Sequence, residues 1–113
     1  MINDLFDINF DEDPMAIPKA FFNSLYDIDF LWRMKRVASQ KHVADEFHGC
    51  SFPDDIDWDE EPFQGVKFRF RDEEIIIDLE QFKELALQAL DAFLKFHPEK
   101  IVEVNMIRKM LDF

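Results

Sequence analysis

The sequence predicts an α+β fold of four or five helices packed around a short antiparallel β-hairpin or small sheet. Apolar and basic side chains alternate over residues 66–71, which is typical of a strand with one buried face. An isoleucine-rich run follows closely, and on both sides of this pair apolar residues recur at helical spacing. The chain has 113 residues, fourteen of them Phe, which suits a single domain with one aromatic core. The predicted order is helix, helix, hairpin, helix, helix.

Two helices are predicted before the hairpin, after an irregular acidic segment over residues 1–13. Pro18 suits the first turn of a helix, where its missing N–H costs nothing, and helical spacing continues to about Asp27. Asp29 is a candidate N-cap for the second helix, which we expect to end at Gly49. The apolar stripe of this second helix would consist of Phe30, Met34, Val37, Ala44 and Phe47.

The hairpin is predicted over residues 66–77, with its turn at Asp72 and Glu73. Gly65 indicates a bulge or a close contact with a neighbouring backbone, and Ile75 and Ile77 would share one face of the return strand. Because two strands alone make a marginal sheet, we expect a third from residues 1–10 or from the preceding loop. The outer row is basic, and we expect the nearby acids at positions 72–74 to partner it: Lys67, Arg69 and Arg71.

Two further helices are predicted after the hairpin. Asp78 and Gln81 have the spacing of a capping box, and Pro98 should end this helix near His97. The apolar stripe is broad and indicates a largely covered helix: Phe82, Leu85, Ala86, Ala89, Leu90 and Phe93. Pro98 can also open the last helix, on which four residues are expected to face inward: Ile101, Val104, Ile107 and Leu111.

The negative charge is concentrated in two short segments. The formal net charge is −12; residues 1–13 hold five acids and residues 49–66 hold six, with no Lys or Arg in either, so together they account for −11. Concentrated negative charge repels nucleic acid and membrane phosphates, and it attracts basic proteins. We therefore expect a basic protein partner, and no direct contact with nucleic acid or membrane.

The loop over residues 50–62 is the predicted binding surface, because it combines six acids with one Trp, a residue favoured at interfaces. Phe52, Ile56 and Phe63 are candidates to pin the loop to the body, and Trp58 could itself be such a pin, buried in the core. The predicted partner-binding residues are Asp54, Asp55, Asp57, Trp58, Asp59, Glu60 and Glu61. A second candidate patch consists of Asp11, Glu12 and Asp13.

A metal site is the alternative to consider near the end of the predicted second helix. His42, Asp45, Glu46, His48 and Cys50 lie close together in sequence, and His42 and Glu46 would share a helical face. No second Cys or HExxH pattern completes a zinc site, and a cysteine beside a histidine in sequence rarely forms a catalytic pair. With only two glycines, the chain also has no phosphate-binding loop. We predict no metal, no cofactor and no enzymatic activity.

The cysteine content and the N-terminus indicate a compartment. The single cysteine, Cys50, excludes an internal disulfide and is typical of reducing surroundings. The N-terminus has no basic residue before its apolar positions, unlike a signal peptide, and no apolar run approaches the roughly 20 residues of a membrane helix. We therefore expect a cytoplasmic location.

The central motif of the chain resembles that of CdiI-type immunity proteins, which accompany ribonuclease toxins in contact-dependent growth inhibition. An acidic stretch runs into an alternating strand, and the residues that carry the resemblance are Pro53-Asp54-Asp55 and Trp58-Asp59-Glu60-Glu61-Pro62-Phe63-Gln64-Gly65-Val66-Lys67-Phe68. Further segments match in the same order: Ala20-Phe21-Phe22, Phe30-Leu31, Gln81-Phe82 and His97-Pro98-Glu99. The resemblance extends from about Pro18 to the end of the chain.

This resemblance implies a non-enzymatic cytosolic protein that binds a toxin domain delivered by a neighbouring cell and blocks its RNA cleavage. The implied partner is the basic C-terminal ribonuclease domain of a CdiA-type toxin, of tRNase type, bound 1:1 by a monomer. A ribonuclease must hold a polyanion, so its cleft is basic and the acidic loop would compete with RNA for it. Two other functions stay open at this point: a regulatory module that binds a cationic host protein or a small ligand, and a metal-dependent hydrolase built on His42, Glu46, His48 and Cys50.

Overall fold

The computed structural model describes residues 5–26, 29–54 and 58–112. Within these residues the α-helices are α1 (Ala16–Tyr26), α2 (Phe30–Ala38), α3 (Leu79–Phe96) and α4 (Ile101–Met110), with a 3₁₀ turn over Pro98–Lys100. The strands are β1 (Val43–Ala44), β2 (His48–Ser51), β3 (Val66–Phe70) and β4 (Glu73–Ile77), in one antiparallel sheet of order β1-β2-β3-β4. The predicted α+β class, with helices packed around a small antiparallel sheet, is confirmed.

The predicted hairpin is formed by β3 and β4. Phe70 pairs with Glu73, so the turn consists of residues 71–72, one position earlier than predicted. Ile77 is buried and Ile75 packs on the core, so these two side chains share one face as predicted. The alternation of side chains was therefore a sufficient signal for both strands.

The second helix is much shorter than predicted. It ends at Ala38, and Gln40 then has a φ of 58°, a left-handed conformation that ends helical hydrogen bonding. Residues 43–51 form β1 and β2 instead, with Val43 opposite Cys50. The two additional strands therefore come mainly from a segment predicted as helix. Only Cys50 and Ser51, at the end of β2, belong to the loop predicted over residues 50–62, and residues 5–10 form no strand.

Strand pairing explains why this segment is not helical. One edge of β3 would otherwise leave its backbone groups unpaired, and all four residues of β2 pair with it. A helix through the same residues would bury Ala44 and Phe47, whereas both are exposed. Gly49, predicted as the helix stop, lies in β2 under the side chain of Arg69, whose Nε would be 3.4 Å from an added Cβ.

The core lies between the sheet and the helices. The ring centroid of Phe68 on β3 is 5.4 Å from that of Phe21 and 6.0 Å from that of Phe22, both on α1. Phe82 on α3 lies 6.3 Å from Phe68 and 5.4 Å from Phe52. Burying each of these aromatic side chains contributes about 1.5–3 kcal/mol relative to exposure. In the described part of the N-terminal segment, Leu5 and Phe6 pack on the same core, and residues 5–10 form no strand.

The last two helices follow the prediction closely. Asp78 caps α3 in a complete capping box with Gln81, and α3 ends at Phe96. All six residues of the predicted α3 stripe are buried. On α4, Val104 and Ile107 are buried and Leu111 just beyond it is buried too, but Ile101 is 43% exposed, so its predicted inward orientation is wrong. At about 100° per residue, Ile101 lies about 90° from the centre of the stripe formed by the other three.

The start of α2 differs from the predicted cap in one respect. Asp29 occupies the N-cap position, as predicted, but its side chain makes no capping hydrogen bond, and its φ is 49°. Asp tolerates this left-handed conformation better than most residues, which accounts for its presence there.

Candidate functional site

The acidic loop, residues 52–65, connects the end of β2 to the start of β3. Its first residue, Phe52, is buried against Phe82 of α3. Its last residue, Gly65, has a φ of 92°, and a Cβ there would lie 2.3 Å from the carbonyl oxygen of Ile77. This confirms the predicted close contact between Gly65 and a neighbouring backbone. Both ends of the loop are therefore held by the core and the sheet.

The carboxylates of the acidic loop point into solvent. Asp54, Asp59, Glu60 and Glu61 are exposed. No ion pair joins Asp54, Asp59 or Glu61 to any base in the part of the chain that the structure describes. Asp55, Ile56 and Asp57 lie outside the described residues. Asp54, Asp59 and Glu61 therefore present negative charge that no base among the described residues neutralises.

Trp58 is 96% exposed, which excludes the alternative that it is buried in the core. Phe52 is a pin of the loop, as predicted, and Phe63 is a partly buried second one, with Nζ of Lys67 4.6 Å from its ring centroid. Covering an exposed indole with a partner contributes a large binding free energy, because the indole has a large apolar surface and one N–H donor. Trp58 is thus available as an interface anchor among the acids.

A groove lies between the acidic loop and the hairpin. Residues 61–63 form one side, and Lys67 and residues 74–76 form the other, around a volume of about 550 Å³. Ile76 is 49% exposed here, because strand alternation puts it on the face opposite Ile75 and Ile77. The groove was not predicted, although this alternation would have identified Ile76 as an exposed apolar residue.

The second predicted patch is divided by the structure. Asp11 and Glu12 are exposed, but Asp13 is engaged locally: Lys19 donates to it at 2.5 Å and the backbone N–H of Met15 at 2.9 Å. The hydrogen bond from Lys19, followed by that from Met15, lowers the pKa of Asp13 below its ordinary value, although burial opposes them. Asp13 thus holds the start of α1 more than it presents charge to a partner.

The two acidic segments lie towards different ends of the sheet. Phe10, next to Asp11, stacks on Phe70 with ring centroids 5.3 Å apart, and Phe70 precedes the β3–β4 turn. The acidic loop begins and ends at the opposite end of these strands, at residues 52 and 65. Asp11 and Glu12 therefore do not continue the surface formed by the acidic loop where it joins the sheet.

The basic row of β3 has partners other than those predicted. Arg69 donates to the carbonyl oxygens of Asp45 and His48 at 3.1 and 3.2 Å, and the guanidinium of Arg71 lies 5.1 Å from the ring centroid of Phe47. Lys67 lies over Phe63, as described above. All these residues and the acids at 72–74 are described, and no ion pair joins the two groups. The bases are thus held by carbonyl oxygens and aromatic rings, and not by the acids predicted to pair with them.

The residues considered for a metal site serve the β1–β2 hairpin. His42 Nδ1 lies 2.9 Å from Ser51 Oγ, so His42 and Glu46 share no helical face, contrary to the prediction. Burial would raise the pKa of Asp45, but hydrogen bonds from the backbone N–H groups of His48 and Phe47 lower it below its ordinary value. These bonds are 2.8 Å long and fix the turn between β1 and β2.

Cys50 lies in the core, and this burial raises the pKa of its thiol well above the ordinary value. The thiol is therefore protonated and inaccessible, which is the opposite of what a metal ligand or nucleophile requires. Within residues 5–26, 29–54 and 58–112, no group of three or more His, Cys, Asp or Glu is arranged to hold a metal ion.

Sequence comparison gives one positive finding. A family model described as CDI immunity protein matches residues 14–107, which covers both the acidic loop and the entire sheet. No curated protein matches the chain. None of the helices in the described ranges is both long enough and apolar enough to cross a membrane.

Proposed function

The chain belongs to the CDI immunity protein family, and we propose that its acidic loop binds the basic RNA-binding surface of a cognate tRNase-type toxin and blocks cleavage. The partner of such an immunity protein is a toxin of contact-dependent growth inhibition. We propose further that this toxin is a ribonuclease and that the acidic loop contacts it. In this proposal the protein is a cytoplasmic monomer that forms a 1:1 complex with the toxin and has no enzymatic activity, metal or cofactor.

The observation that carries this proposal is the exposure of three loop acids that form no ion pair with a described residue. Asp54, Asp59 and Glu61 make no ion pair among the described residues, so their field is directed at whatever approaches the loop. An RNA-cleaving enzyme needs a basic cleft to hold phosphates. Carboxylates on a loop anchored at both ends compete for that cleft, and they contain no bond that the enzyme can cleave.

The energetics assign different roles to the acids and to Trp58. Charges at the rim of an interface mainly raise the association rate, to about 10⁸–10⁹ M⁻¹s⁻¹ at low salt, whereas closely paired buried charges have coupling energies of about 1.5–7 kcal/mol. Aromatic residues at the centre of an interface mainly slow dissociation. The loop therefore provides rapid capture through its acids and a long-lived complex through Trp58.

Charge reversal in the loop tests the proposal. In the double variant Asp54→Lys and Asp59→Lys, we expect toxin affinity to fall by about tenfold or more, because two attractions become repulsions. Both residues are exposed, so the thermal unfolding midpoint should not change appreciably. Affinity is measured by calorimetric titration, and protection by cleavage of tRNA in the presence of toxin.

The matched control reverses two exposed acids of the helical layer, Glu99→Lys and Asp112→Lys, and changes the net charge by the same amount. It should keep most of its toxin affinity. Equal losses of toxin affinity in the two double variants would show that only net charge matters. Unchanged affinity in the loop variant would show that the acidic loop does not contact the toxin.

A further inference from the structure

The groove between the acidic loop and the hairpin combines apolar walls with uncompensated negative charge. Its apolar surface includes Phe63, Pro62 and the exposed side chain of Ile76. Glu61 on the loop side and Glu74 on the β4 side contribute carboxylates, and both residues are exposed. A volume of about 550 Å³ is within the usual range of binding pockets, about 300–1,000 Å³.

Neither carboxylate of the groove is paired with a residue that the structure describes. The side chains of Glu61 and Glu74 make no hydrogen bond or ion pair with another described residue. Glu74 lies opposite Arg69 in the β3–β4 register, but the guanidinium of Arg69 donates to carbonyl oxygens on the β1–β2 side of the sheet. The cross-strand base that could neutralise Glu74 is thus directed away from the groove.

The position of Lys67 shows that the groove can hold an amino group against an aromatic ring. Nζ of Lys67 lies 4.6 Å from the centroid of the Phe63 ring, a cation–π contact, and forms no ion pair with Glu61 or Glu74. The groove therefore contains two carboxylates against one base. A second cation with an aliphatic stem would satisfy the carboxylates, while its methylene groups covered Ile76.

From this combination we propose that the groove receives a basic segment of the toxin, with a lysine or arginine side chain placed between Glu61 and Glu74. The stem of that side chain lies along Ile76 and Phe63, and its charged group forms ion pairs with the two carboxylates. This inference rests on the proposed function and makes it more specific. It assigns one contact to Glu74 and Ile76, which lie outside the acidic loop.

Two variants of the groove test this contact. Glu61→Gln with Glu74→Gln removes both charges and preserves shape, and we expect toxin affinity to fall by about tenfold or more, mainly through faster dissociation. Ile76→Lys places the protein's own ammonium in the groove, and we expect a similar loss. Ile76 is 49% exposed on the solvent face of β4, so this substitution removes no core contact, although it places a second base opposite Lys67.

The matched control is Glu46→Gln with Glu73→Gln, which removes two exposed carboxylates at the turn end of the same sheet. It should bind toxin within about twofold of wild type, since surface charges remote from a contact contribute little. Binding is measured by surface plasmon resonance with immobilised toxin, and folding by circular dichroism. If Ile76→Lys unfolds the protein, the isosteric double variant Glu61→Gln with Glu74→Gln still tests the groove contact.

The outcomes separate this inference from the function on which it rests. The groove contact is supported if the groove variants bind toxin more weakly than wild type and the control variant does not. If wild type binds toxin and the groove variants bind it as tightly as the control variant does, the groove contact is overturned, but the proposed function stands. Absence of wild-type binding to a ribonuclease toxin overturns both.

Discussion

Gly65 is a position at which the fold admits no side chain. Its φ of 92° is unfavourable for any residue with a Cβ, and an added Cβ would lie 2.3 Å from the carbonyl oxygen of Ile77, a backbone atom that cannot move independently. We predict that Gly65→Ala lowers the free energy of unfolding by about 2 kcal/mol or more. Urea denaturation gives this value.

Gly49→Ala is the matched control for Gly65→Ala. There the nearest atom to an added Cβ is Arg69 Nε at 3.4 Å, in a flexible side chain, and the backbone is a regular strand. The loss at Gly49 should therefore be about 1 kcal/mol or less. Comparable losses at the two glycines would show that the close approach of Gly65 to β4 does not constrain the loop.

Trp58 is the opposite case, a large residue that the fold does not use. We predict that Trp58→Ala leaves the free energy of unfolding within about 0.5 kcal/mol of wild type, because the indole is 96% exposed. Its loss should weaken toxin binding by about 2 kcal/mol or more, as expected of an aromatic anchor. Chemical denaturation and calorimetric titration measure the two effects.

Trp32→Ala provides the comparison, because Trp32 is also exposed, at 58%, but lies on α2 over the guanidinium of Arg36. Toxin affinity should be unchanged in this variant. If the two Trp variants bind toxin equally well, Trp58 is not an anchor.

At the scale of secondary-structure elements, the start of α1 depends on an ionised Asp13. The folded-state pKa of Asp13 is below its ordinary value of 3.8, so its contribution to stability is fully present above that pH and is lost as the pH falls through the lower folded value. We predict that Asp13→Asn lowers the melting temperature at neutral pH, and that the difference from wild type shrinks as the medium is acidified below 3.8. Thermal melts across this range check it, and a difference that does not vary with pH would contradict the role of the ion pair with Lys19.

The start of α3 depends on the capping box rather than on an ion pair. Asp78 accepts from the backbone N–H of Gln81 at 2.7 Å, and Gln81 accepts from the N–H of Asp78 at 3.1 Å. We predict that Asp78→Ala costs about 1 kcal/mol of unfolding free energy, because the first turn loses a partner for an otherwise unsatisfied N–H. Glu84→Ala, in the exposed interior of the same helix, should cost nearly nothing, since alanine has the higher helix propensity.

At the scale of the whole molecule, the formal charge of −12 is unevenly distributed and should govern the kinetics of capture. We predict that the association rate with the toxin falls steeply as salt rises, while the dissociation rate changes much less, because screening acts on long-range attraction before contact. Stopped-flow measurements over a salt series test this prediction. The double variant Asp54→Lys and Asp59→Lys should show a shallower dependence on salt, and an unchanged slope would place the steering charge elsewhere.

The candidate site was partly predictable. The exposure of Asp54, Asp59 and Glu61 follows from charge alone, because burying unpaired carboxylates costs too much. The exposure of Trp58 did not follow, since an indole in a loop is equally able to pin it or to project from it. The groove beside Glu61 was not predictable, because it depends on where residues 61–63 lie against β4.

The sequence by itself determined α1, the β3–β4 hairpin and α3. These depend on local signals: the periodicity of apolar residues, the capping box at Asp78 and the helix stop before Pro98, all of which act within a few residues. The family could also be identified from the order of short motifs, and the match over residues 14–107 confirms it.

Only the tertiary structure decided the conformation of residues 39–51, the separation of the two acidic segments and the formation of the groove. The apolar residues from 30 to 47 are compatible with one long helix, but the helix covers only Phe30–Ala38. Strands form within residues 43–51 because β3 offers an unpaired edge that β2 completes. Pairing between β2 and β3 joins residues that are fifteen or more positions apart, so no local pattern encodes it. Glu74 and Ile76 reach the side of the acidic loop through the β3–β4 pairing and the close approach of Gly65 to Ile77.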